Sequence, residues 1–317
     1  MLASKYTGSA SSDLLMLDLN TGNTLTSFNN INGLFDPQYI EKDGSIIGNI
    51  NGKLRRVTTT TKPSISNPNI TQNQIFSELN TEVIPSISVL DQDNNTLTCK
   101  YYIDSETTPR DTKSISNTST EKVVSFNALN MSTLSEGTHT IKFDVNDGFV
   151  STQQSISFQV DKTPPTLGTV SVSSLVSSIT VTGSATDSIK PDDNPYRYTV
   201  GTNVSNWTTS TSYSVNNLMP NTSYTVKFEA RDAKGHIATY TKNEFTKAQV
   251  PSITVGNATS YTLEVSITDS NPSTTYYQIN TGSYYVSSSG ALTTVPSWIT
   301  LTGKKVTVTG LNPNTAY

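Results

Sequence analysis

One pattern occurs twice in the second half of this chain. Residues 218–224 read LMPNTSY and residues 311–317 read LNPNTAY, with leucine, proline, asparagine, threonine and tyrosine at matching places. A tryptophan lies upstream of each copy, and further upstream lies an apolar segment that ends on Asp187 in the first copy and on Asp269 in the second. Landmarks that recur in the same order indicate a duplicated domain.

The first copy leads into a segment in which apolar and polar residues alternate. Tyr224, Val226, Phe228 and Ala230 alternate with Thr225, Lys227, Glu229 and Arg231. A period of two predicts a strand that is buried on one face, with the first four side chains inward. Leu218 is expected to fill the core and Pro220 to open a turn. The Tyr224 hydroxyl is expected to bond to backbone a few residues upstream, as in a tyrosine corner.

The L-x-P-x-T-x-Y-x-V-x-F-x-A pattern, the tryptophan before it and the ARDAKGH turn resemble fibronectin type III domains of bacterial proteins. The resemblance covers residues 163–248 fully and residues 249–317 in part. It implies structural roles for Trp207, Leu218, Pro220 and Tyr224, and for Trp298, Leu311, Pro313 and Tyr317. The second copy stops where a sixth strand is expected to begin, so we expect a C-terminally truncated half sandwich with an exposed edge.

Residues 62–162 predict a different β-sandwich. Five strands are expected, and the LSEGTHTIKFDVNDG run, with Ile141, Phe143 and Val145 inward, resembles the late strands of bacterial immunoglobulin-like domains. The VDKTPPT segment at residues 160–166 closes this domain. Paired prolines restrict the backbone to extended conformations, so this segment predicts a short, stiff joint to the next domain.

Residues 1–61 predict a β-meander. Short apolar runs are separated by Asp43-Gly44 and Asn51-Gly52, which favour two-residue hairpin turns. The meander resembles a single β-propeller blade, and one blade cannot bury both of its faces alone. We therefore interpret it as part of a propeller. The predicted fold class of the whole chain is all-β, with tandem immunoglobulin-like and fibronectin type III sandwiches after an N-terminal meander.

Charge and hydropathy exclude several classes of partner. The net charge is −4 over 317 residues, and no run of Lys or Arg is longer than the two residues of Arg55-Arg56, so no face for nucleic acid is indicated. No apolar stretch approaches the roughly 18 residues of a membrane span. The N-terminal MLASKYTGSASSD lacks the charged and apolar blocks of a secretory signal.

No catalytic constellation is evident in the sequence. Cys99 is the one cysteine, and alternation places it inward with Leu97, Tyr101 and Ile103, so we expect a small buried side chain rather than a nucleophile. Neither His139 nor His236 has a nucleophile motif or a second ligand at metal spacing, so the sequence predicts no zinc site. Glycosidases use a pair of carboxylates, and Asp187 with Asp269 could be interpreted as such a pair. The two aspartates occupy equivalent positions in the two copies of the repeat, so the duplication accounts for both. The sequence therefore predicts a protein that is not an enzyme and has no cofactor.

Two groups of residues are candidates for binding. Clustered oxygens in DQDNN and FDVNDG suit calcium, through Asp91, Asp93, Asp144 and Asp147, but the same residues are typical of β-turns. Tyr284 and Tyr285, like Tyr276-Tyr277, could stack on sugar rings. Adjacent strand residues point to opposite faces, so one of each pair is expected in the core.

The architecture favours a spacer that presents other domains of a large extracellular or cell-surface bacterial protein. Its partners would be neighbouring domains of the same polypeptide, and carbohydrate or a protein surface ligand. Two alternatives remain open. One is a structural component of a phage tail or fibre, which would place the chain in a virion. The other is the accessory, carbohydrate-binding region of a secreted polysaccharide hydrolase.

Overall fold

A computed structural model describes residues 61–317 in full and, before them, the backbone of six strands within residues 2–57. The described residues are all-β: antiparallel strands joined by turns, with two short 3₁₀ turns. Among the described residues, no helix has the length and hydropathy that a membrane span requires. The predicted fold class is confirmed.

The six N-terminal strands form two antiparallel sheets of three strands each, in the orders β1-β2-β3 and β4-β5-β6. Their bounds are β1 Leu2–Tyr6, β2 Ser11–Leu17, β3 Thr24–Asn32, β4 Phe35–Ile40, β5 Ile46–Ile50 and β6 Lys53–Val57. The predicted turns at Asp43-Gly44 and Asn51-Gly52 lie outside the described residues. The resemblance to a propeller blade stays a prediction.

The first sandwich has a sheet of five strands, in the order β11-β10-β13-β14-β8, and a sheet of three, in the order β12-β9-β7. The bounds are β7 Ser64–Ser66, β8 Gln74–Ser77, β9 Ser86–Leu90, β10 Leu97–Ile103, β11 Asp111–Ile115, β12 Lys122–Ser125, β13 Gly137–Asn146 and β14 Ser151–Asp161. A 3₁₀ turn spans Met131–Thr133.

Aromatic rings join the two sheets of this sandwich. The ring of Phe126, which follows β12, lies 5.3 Å from that of Tyr101 on β10 and 5.8 Å from that of Phe143 on β13. The predicted inward faces are confirmed, because Leu97, Cys99, Tyr101, Ile103, Ile141, Phe143 and Val145 are all buried.

The second sandwich places a sheet of four strands, β20-β19-β22-β23, against a sheet of three, β16-β17-β21, with the pair β15-β18 beside them. The bounds are β15 Thr166–Leu167, β16 Ser171–Ser174, β17 Ile179–Thr182, β18 Ala185–Thr186, β19 Pro191–Val200, β20 Asn203–Val204, β21 Ser212–Val215, β22 Ser223–Asp232 and β23 Ile237–Phe245.

The core of the second sandwich forms between these two sheets. Tyr198 on β19 has its ring 5.2 Å from Phe228 on β22 and 5.8 Å from Tyr213 on β21. Val226, Phe228 and Ala230 are fully buried, as the alternation predicts. Burying a large apolar side chain is worth about 1.5–3 kcal/mol, so these residues contribute much of the stability of this sandwich.

The outer face of β22 differs from the prediction at Glu229. Alternation places Glu229 outward, and it does lie on that face, but it is only 4% exposed. Arg197 Nε donates to one carboxylate oxygen at 2.7 Å and Lys227 Nζ to the other at 2.5 Å. Burial alone would raise the pKa of Glu229, but the hydrogen bonds from Arg197 and Lys227 outweigh it and hold the pKa below its ordinary value.

The third sandwich contains the sheet β24-β25-β28 and the pair β26-β27. The bounds are β24 Ser252–Ala258, β25 Thr262–Thr268, β26 Tyr285–Val286, β27 Leu292–Thr293 and β28 Lys305–Thr309, with a 3₁₀ turn at Thr302–Lys304. The core comprises Val265, Ile267, Tyr277, Ile279, Val286, Ile299, Leu301, Val308 and Leu311. In contrast, every residue of β24 is exposed, including Ile253 and Val255 at 60% each.

The sequence repeat is also a repeat of local structure. The Tyr224 hydroxyl accepts a hydrogen bond from the Met219 amide at 2.8 Å, and the Tyr317 hydroxyl accepts one from the Asn312 amide at 2.8 Å. The first copy thus forms the predicted tyrosine corner, and the second copy forms the same contact. In each copy the asparagine after the proline has a positive φ, 45° in the first and 53° in the second, a conformation that asparagine tolerates better than most residues.

Contacts within the chain divide it into two compact units. The first comprises Met1–Gln74, Thr81–Asn130 and His139–Phe158; the second comprises Ile75–Asn80, Met131–Thr138 and Gln159–Tyr317. The residues of the cluster described next all belong to the second unit.

Candidate functional site

Within the residues that the structure describes, one group of three potential metal-ligating side chains comes together: Asp161, Asp232 and His236. One ligand atom from each lies within 4.8 Å of the others. Both aspartates are fully buried and the His236 side chain is 14% exposed. Asp161 is the last residue of β14 and Asp232 the last residue of β22. The ends of two strands therefore position the two carboxylates.

The turn after β22 fixes Asp232 and His236. One oxygen of Asp232 accepts hydrogen bonds from the amides of Lys234 at 2.7 Å and His236 at 3.0 Å. Gly235 has φ +93°, which glycine adopts without steric cost, and this lets the chain reverse before β23. The turn uses only one carboxylate oxygen of Asp232, so the other remains for the imidazole.

His236 lies between two carboxylates. Its Nδ1 is 2.5 Å from Asp232 Oδ2, and its Nε2 is 3.0 Å from Glu78 Oε2. A neutral imidazole has one N–H, so it cannot donate at both nitrogens. Burial alone would lower the pKa of His236, but the hydrogen bonds to Asp232 and Glu78 outweigh it and raise the pKa above its ordinary value.

Asp161 is the anomalous member of the cluster. Its side chain is fully buried, yet among the described residues neither of its oxygens has a hydrogen-bond partner. His236 Nδ1 lies 3.9 Å from Asp161 Oδ1, beyond hydrogen-bond distance. Burial, followed by the charges of Asp232, Asp187 and Glu136, raises the pKa of Asp161 to about 6, and His236 opposes this shift. A buried polar group without a partner is uncommon and calls for an explanation.

The other carboxylates near Asp161 are already occupied. Glu136 accepts hydrogen bonds from the Lys162 amide at 2.8 Å and from the hydroxyls of Thr163 and Ser188 at 3.1 and 3.3 Å. Asp187 Oδ1 accepts from the Ile189 amide at 2.8 Å. These side chains add negative charge around Asp161. Most of their oxygens already accept hydrogen bonds from loop residues.

The four calcium candidates are not part of this cluster. Asp91 accepts backbone hydrogen bonds from Asp93 and Asn95, and Asp147 accepts them from Phe149 and Val150. Asp93 accepts from Thr61, and Asp144 has one buried oxygen without a hydrogen bond among the described residues. Asp91 and Asp147 thus close the turns in which they lie.

The repeated aspartates also close turns. Asp187 Oδ1 accepts from the amide two residues later, and Asp269 Oδ1 accepts from the Asn271 amide at 2.9 Å. Asp269 is further held by Lys304 Nζ and by the Tyr277 hydroxyl at 2.8 Å. Burial alone would raise the pKa of Asp269, but the hydrogen bonds from Lys304, Tyr277 and Asn271 outweigh it and lower the pKa.

The aromatic candidates divide between core and surface. Tyr277 is 7% exposed, and its neighbour Tyr276 is 64% exposed. Tyr284 is 43% exposed, whereas Tyr285 is half-buried on β26. Trp298 is 64% exposed, the same fraction as Tyr276.

The equivalent tryptophan of the second sandwich has different surroundings. Trp207 lies on the outer face of the four-stranded sheet, with the Arg197 guanidinium 4.6 Å and the Arg231 guanidinium 4.2 Å from its ring centroid. Each such contact stabilises by about 0.5–1 kcal/mol at an exposed site. Trp207 therefore holds the outer surface of its sheet together.

Two remaining residues of chemical interest are buried. Cys99 is fully buried, and burial raises the pKa of its thiol to about 11, so the thiolate is scarce at neutral pH. His139, the third residue of β13, is also buried, with its Nδ1 2.8 Å from Asp104 Oδ2.

Sequence reasoning missed the Asp161 cluster. Its members come from VDKTPPT and ARDAKGH, two segments that the sequence interprets as a joint and a turn. The available signals were an aspartate directly before a proline-containing joint and an aspartate-histidine pair four residues apart across a glycine turn. Neither resembles a metal motif when taken alone.

No family model and no curated protein matches this sequence. Among solved structures, the chain is similar to domains A168-A170 of titin, with 14% identity and a TM-score of 0.37, over 78% of this chain and 97% of that one. It is also similar to the FN1-FN3 domains of chicken CNTN1, with 13% identity and a TM-score of 0.30, over 78% and 98%. A third is Dpr11 IG1 bound to DIP-gamma IG+IG2, with 12% identity and a TM-score of 0.30, over 59% and 99%. At these TM-scores the strand orders and cores, rather than the alignments, define the fold as tandem β-sandwiches of the immunoglobulin-like and fibronectin type III-like kind.

Proposed function

We propose that this chain is a non-enzymatic spacer that presents other domains of an extracellular or cell-surface bacterial protein. Tandem sandwiches of this kind are typical of modular scaffold and adhesion segments. The proposal keeps the domain boundaries drawn from the sequence: a propeller-like meander at 1–61, a bacterial immunoglobulin-like domain at 62–162, and fibronectin type III domains at 163–248 and 249–317.

The observation that carries this proposal is the joint between the second and third sandwiches. Lys247 donates its amide to the Leu175 carbonyl at 2.9 Å and accepts from the Asn221 amide at 3.2 Å, which ties it to the second sandwich. Gln249 donates its amide to Asn271 Oδ1 at 2.7 Å, and its carbonyl accepts from Asn271 Nδ2 at 2.9 Å. These bonds tie Gln249 to the third sandwich.

Only Ala248 separates the two anchored residues, so little backbone is free to bend. Asn221 Nδ2 also donates to Thr275 Oγ1 at 3.0 Å, a direct contact between the two sandwiches. Asn271 is 5% exposed, which keeps water from competing for its hydrogen bonds. A joint that is hydrogen-bonded on both sides suits a spacer, which must hold its ends apart at a defined distance.

We expect Asn271→Ala to loosen this joint. Spin labels at Thr239→Cys and Thr307→Cys, two exposed strand positions on either side of it, would report the distance by pulsed electron spin resonance. Cys99 can stay in place because it is buried and its thiol has a pKa of about 11. The wild-type background should give a narrow distance distribution, and Asn271→Ala a distribution at least twice as broad.

Asn257→Ala is the matched control, because Asn257 is an exposed asparagine on β24 of the same sandwich. It should leave the distribution narrow. A wild-type distribution as broad as that of Asn271→Ala would mean that the joint is flexible, and the spacer proposal would then lose its main support.

Carbohydrate binding by the third sandwich is a second candidate function. The amides and carbonyls of Tyr277 and Ile299 pair in an isolated antiparallel bridge at 2.8 and 2.9 Å, and both side chains are buried. Their chain neighbours Tyr276 and Trp298 are each 64% exposed, and strand-like alternation about the bridge would place both rings on the face opposite the core. Two aromatic rings on one exposed face can stack on a sugar, and this pair is more accessible than Tyr284 and Tyr285.

Glycan-array binding by the full chain would test this second candidate. If the surface binds sugar, Tyr276→Ala with Trp298→Ala should abolish the signal, whereas Tyr261→Ala, which removes a ring that is 63% exposed, should leave it intact. An array without signal above background for the wild-type chain would remove the candidate.

A further inference from the structure

Asp161, Asp232 and His236 form a buried group whose charges are incompletely compensated. Neither oxygen of Asp161 has a hydrogen-bond partner among the described residues, although its side chain is fully buried. An ionised carboxylate removed from water is costly unless a cation or hydrogen-bond donors accompany it. His236 lies beside Asp161, but its Nδ1 is engaged with Asp232 at 2.5 Å and lies 3.9 Å from Asp161 Oδ1.

We propose that Asp161, Asp232 and His236 Nδ1 bind a first-row divalent metal ion of the Zn²⁺ type. The three side chains supply two carboxylates and an imidazole, which are ordinary zinc ligands. In a tetrahedral site with ligand bonds of about 2.0–2.2 Å, neighbouring ligand atoms lie roughly 3.3–3.5 Å apart. The observed separations of 2.5 and 3.9 Å from Nδ1 lie on either side of that value, so small side-chain shifts would admit the ion.

Glu78 supports the assignment of His236 as a ligand. Its Oε2 lies 3.0 Å from His236 Nε2, and it would accept the proton that remains on that nitrogen. A metal-ligating histidine almost always donates its second N–H to a carboxylate or a carbonyl, which fixes the tautomer and the ring orientation. The ion would take the place of the proton on Nδ1, and that proton would pass to solvent.

Calcium fits the same residues less well. Ca²⁺ takes six to eight oxygen ligands and does not favour imidazole. Both oxygens of Glu136 and one oxygen of Asp187 already accept hydrogen bonds. The cluster itself offers two carboxylates and one imidazole nitrogen rather than an all-oxygen set. We therefore assign the site to a metal that accepts mixed nitrogen and oxygen ligands.

The test is Zn²⁺ binding by the full, untagged chain, measured by competition with a chromogenic chelator. Wild type should bind one Zn²⁺ with saturation, and Asp161→Asn, which keeps the shape of the side chain, should bind at least about tenfold more weakly. Glu78→Gln should weaken binding by about 10- to 100-fold, as expected for the loss of an orienting carboxylate. Asp193→Asn, the same charge change at a side chain that is 89% exposed, is the control and should bind as wild type does.

NMR resonances of the imidazole nitrogens test the coordination of Zn²⁺ by His236 independently of the binding affinity. The chain contains two histidines, so a nitrogen-detected NMR spectrum of the side chains should resolve His236 from His139. Saturating Zn²⁺ should shift Nδ1 of His236 and leave His139 unchanged. Equal binding by wild type and Asp161→Asn, a proton that stays on His236 Nδ1 at saturation, or binding of Ca²⁺ in preference to Zn²⁺ would each overturn the proposal.

Discussion

Lys304→Met should lower the free energy of unfolding of the third sandwich by about 3–5 kcal/mol. Lys304 Nζ donates to the Asp269 carboxylate. It also donates to the backbone carbonyl of Asp269 at 2.8 Å and to that of Asn271 at 2.9 Å. The Asp269 side chain is fully buried, whereas that of Lys304 is 24% exposed. Methionine keeps the unbranched stem but removes the charge, so Asp269 would be left as a buried carboxylate without its cation. Hydrogen exchange of the β25 and β28 amides would measure the loss.

The neighbouring lysine provides a matched control. Lys305 Nζ lies 3.5 Å from Glu264, and these two side chains are 61% and 35% exposed. Exposed pairs contribute about 0–1 kcal/mol, so Lys305→Met should have little effect. Equal losses in the two variants would show that the burial of Asp269 is not what makes Lys304 important.

The effect of Lys304→Met should also depend on pH. Folding lowers the pKa of Asp269 below its ordinary value of 3.8, so its contribution to stability is fully present above that pH. The contribution is lost as the pH falls through the lowered pKa of the folded state. The difference between wild type and Lys304→Met should therefore be largest near neutral pH and should shrink under acid conditions.

Phe228→Ala should destabilise the second sandwich by a similar amount, about 3–5 kcal/mol. The Phe228 ring is fully buried, 5.2 Å from the ring of Tyr198 and 5.5 Å from that of Tyr196. It also packs directly on Gly183, where an added Cβ would meet the ring at 2.9 Å. Strands hold its neighbours on both sides, so the space that the ring leaves cannot collapse fully.

Phe245→Ala removes the same ring from a position that is 60% exposed at the end of β23. Its expected cost is within about 0.5 kcal/mol. Amide exchange on β22 would measure both variants within the intact chain. A loss below about 1 kcal/mol for Phe228→Ala would mean that the core can repack around the missing ring.

The sequence predicted the structural features that depend on residues within one short segment. Alternation identified the inward faces of β10, β13 and β22, since a strand shows its period over a few residues. The repeated proline, asparagine and tyrosine identified the tyrosine corners, because that geometry is confined to seven residues. In both cases the information lies within one continuous segment.

The features that the sequence did not predict depend on residues from separate segments. Glu229 is buried because Arg197 and Lys227 cover it, and Arg197 comes from the neighbouring strand. Asp161 meets Asp232 and His236 only when β14 and β22 end at the same place. Strand alternation does not indicate which strand ends lie next to each other. A single sequence therefore cannot predict a cluster of side chains that come from two strand ends.

The exposure of β24 has a mechanical consequence for the proposed spacer role. β24 follows directly on the anchored joint at Gln249, and in the sheet order it pairs with β25 alone. None of its seven residues is buried, so its attachment depends on one ladder of backbone hydrogen bonds. Tension that enters through the joint would first load the hydrogen bonds between Gln249 and Asn271, and once these broke, only the ladder to β25 would hold β24. Detachment of β24 would then lengthen the chain, and the core residues, none of which lies on β24, would keep their contacts with one another.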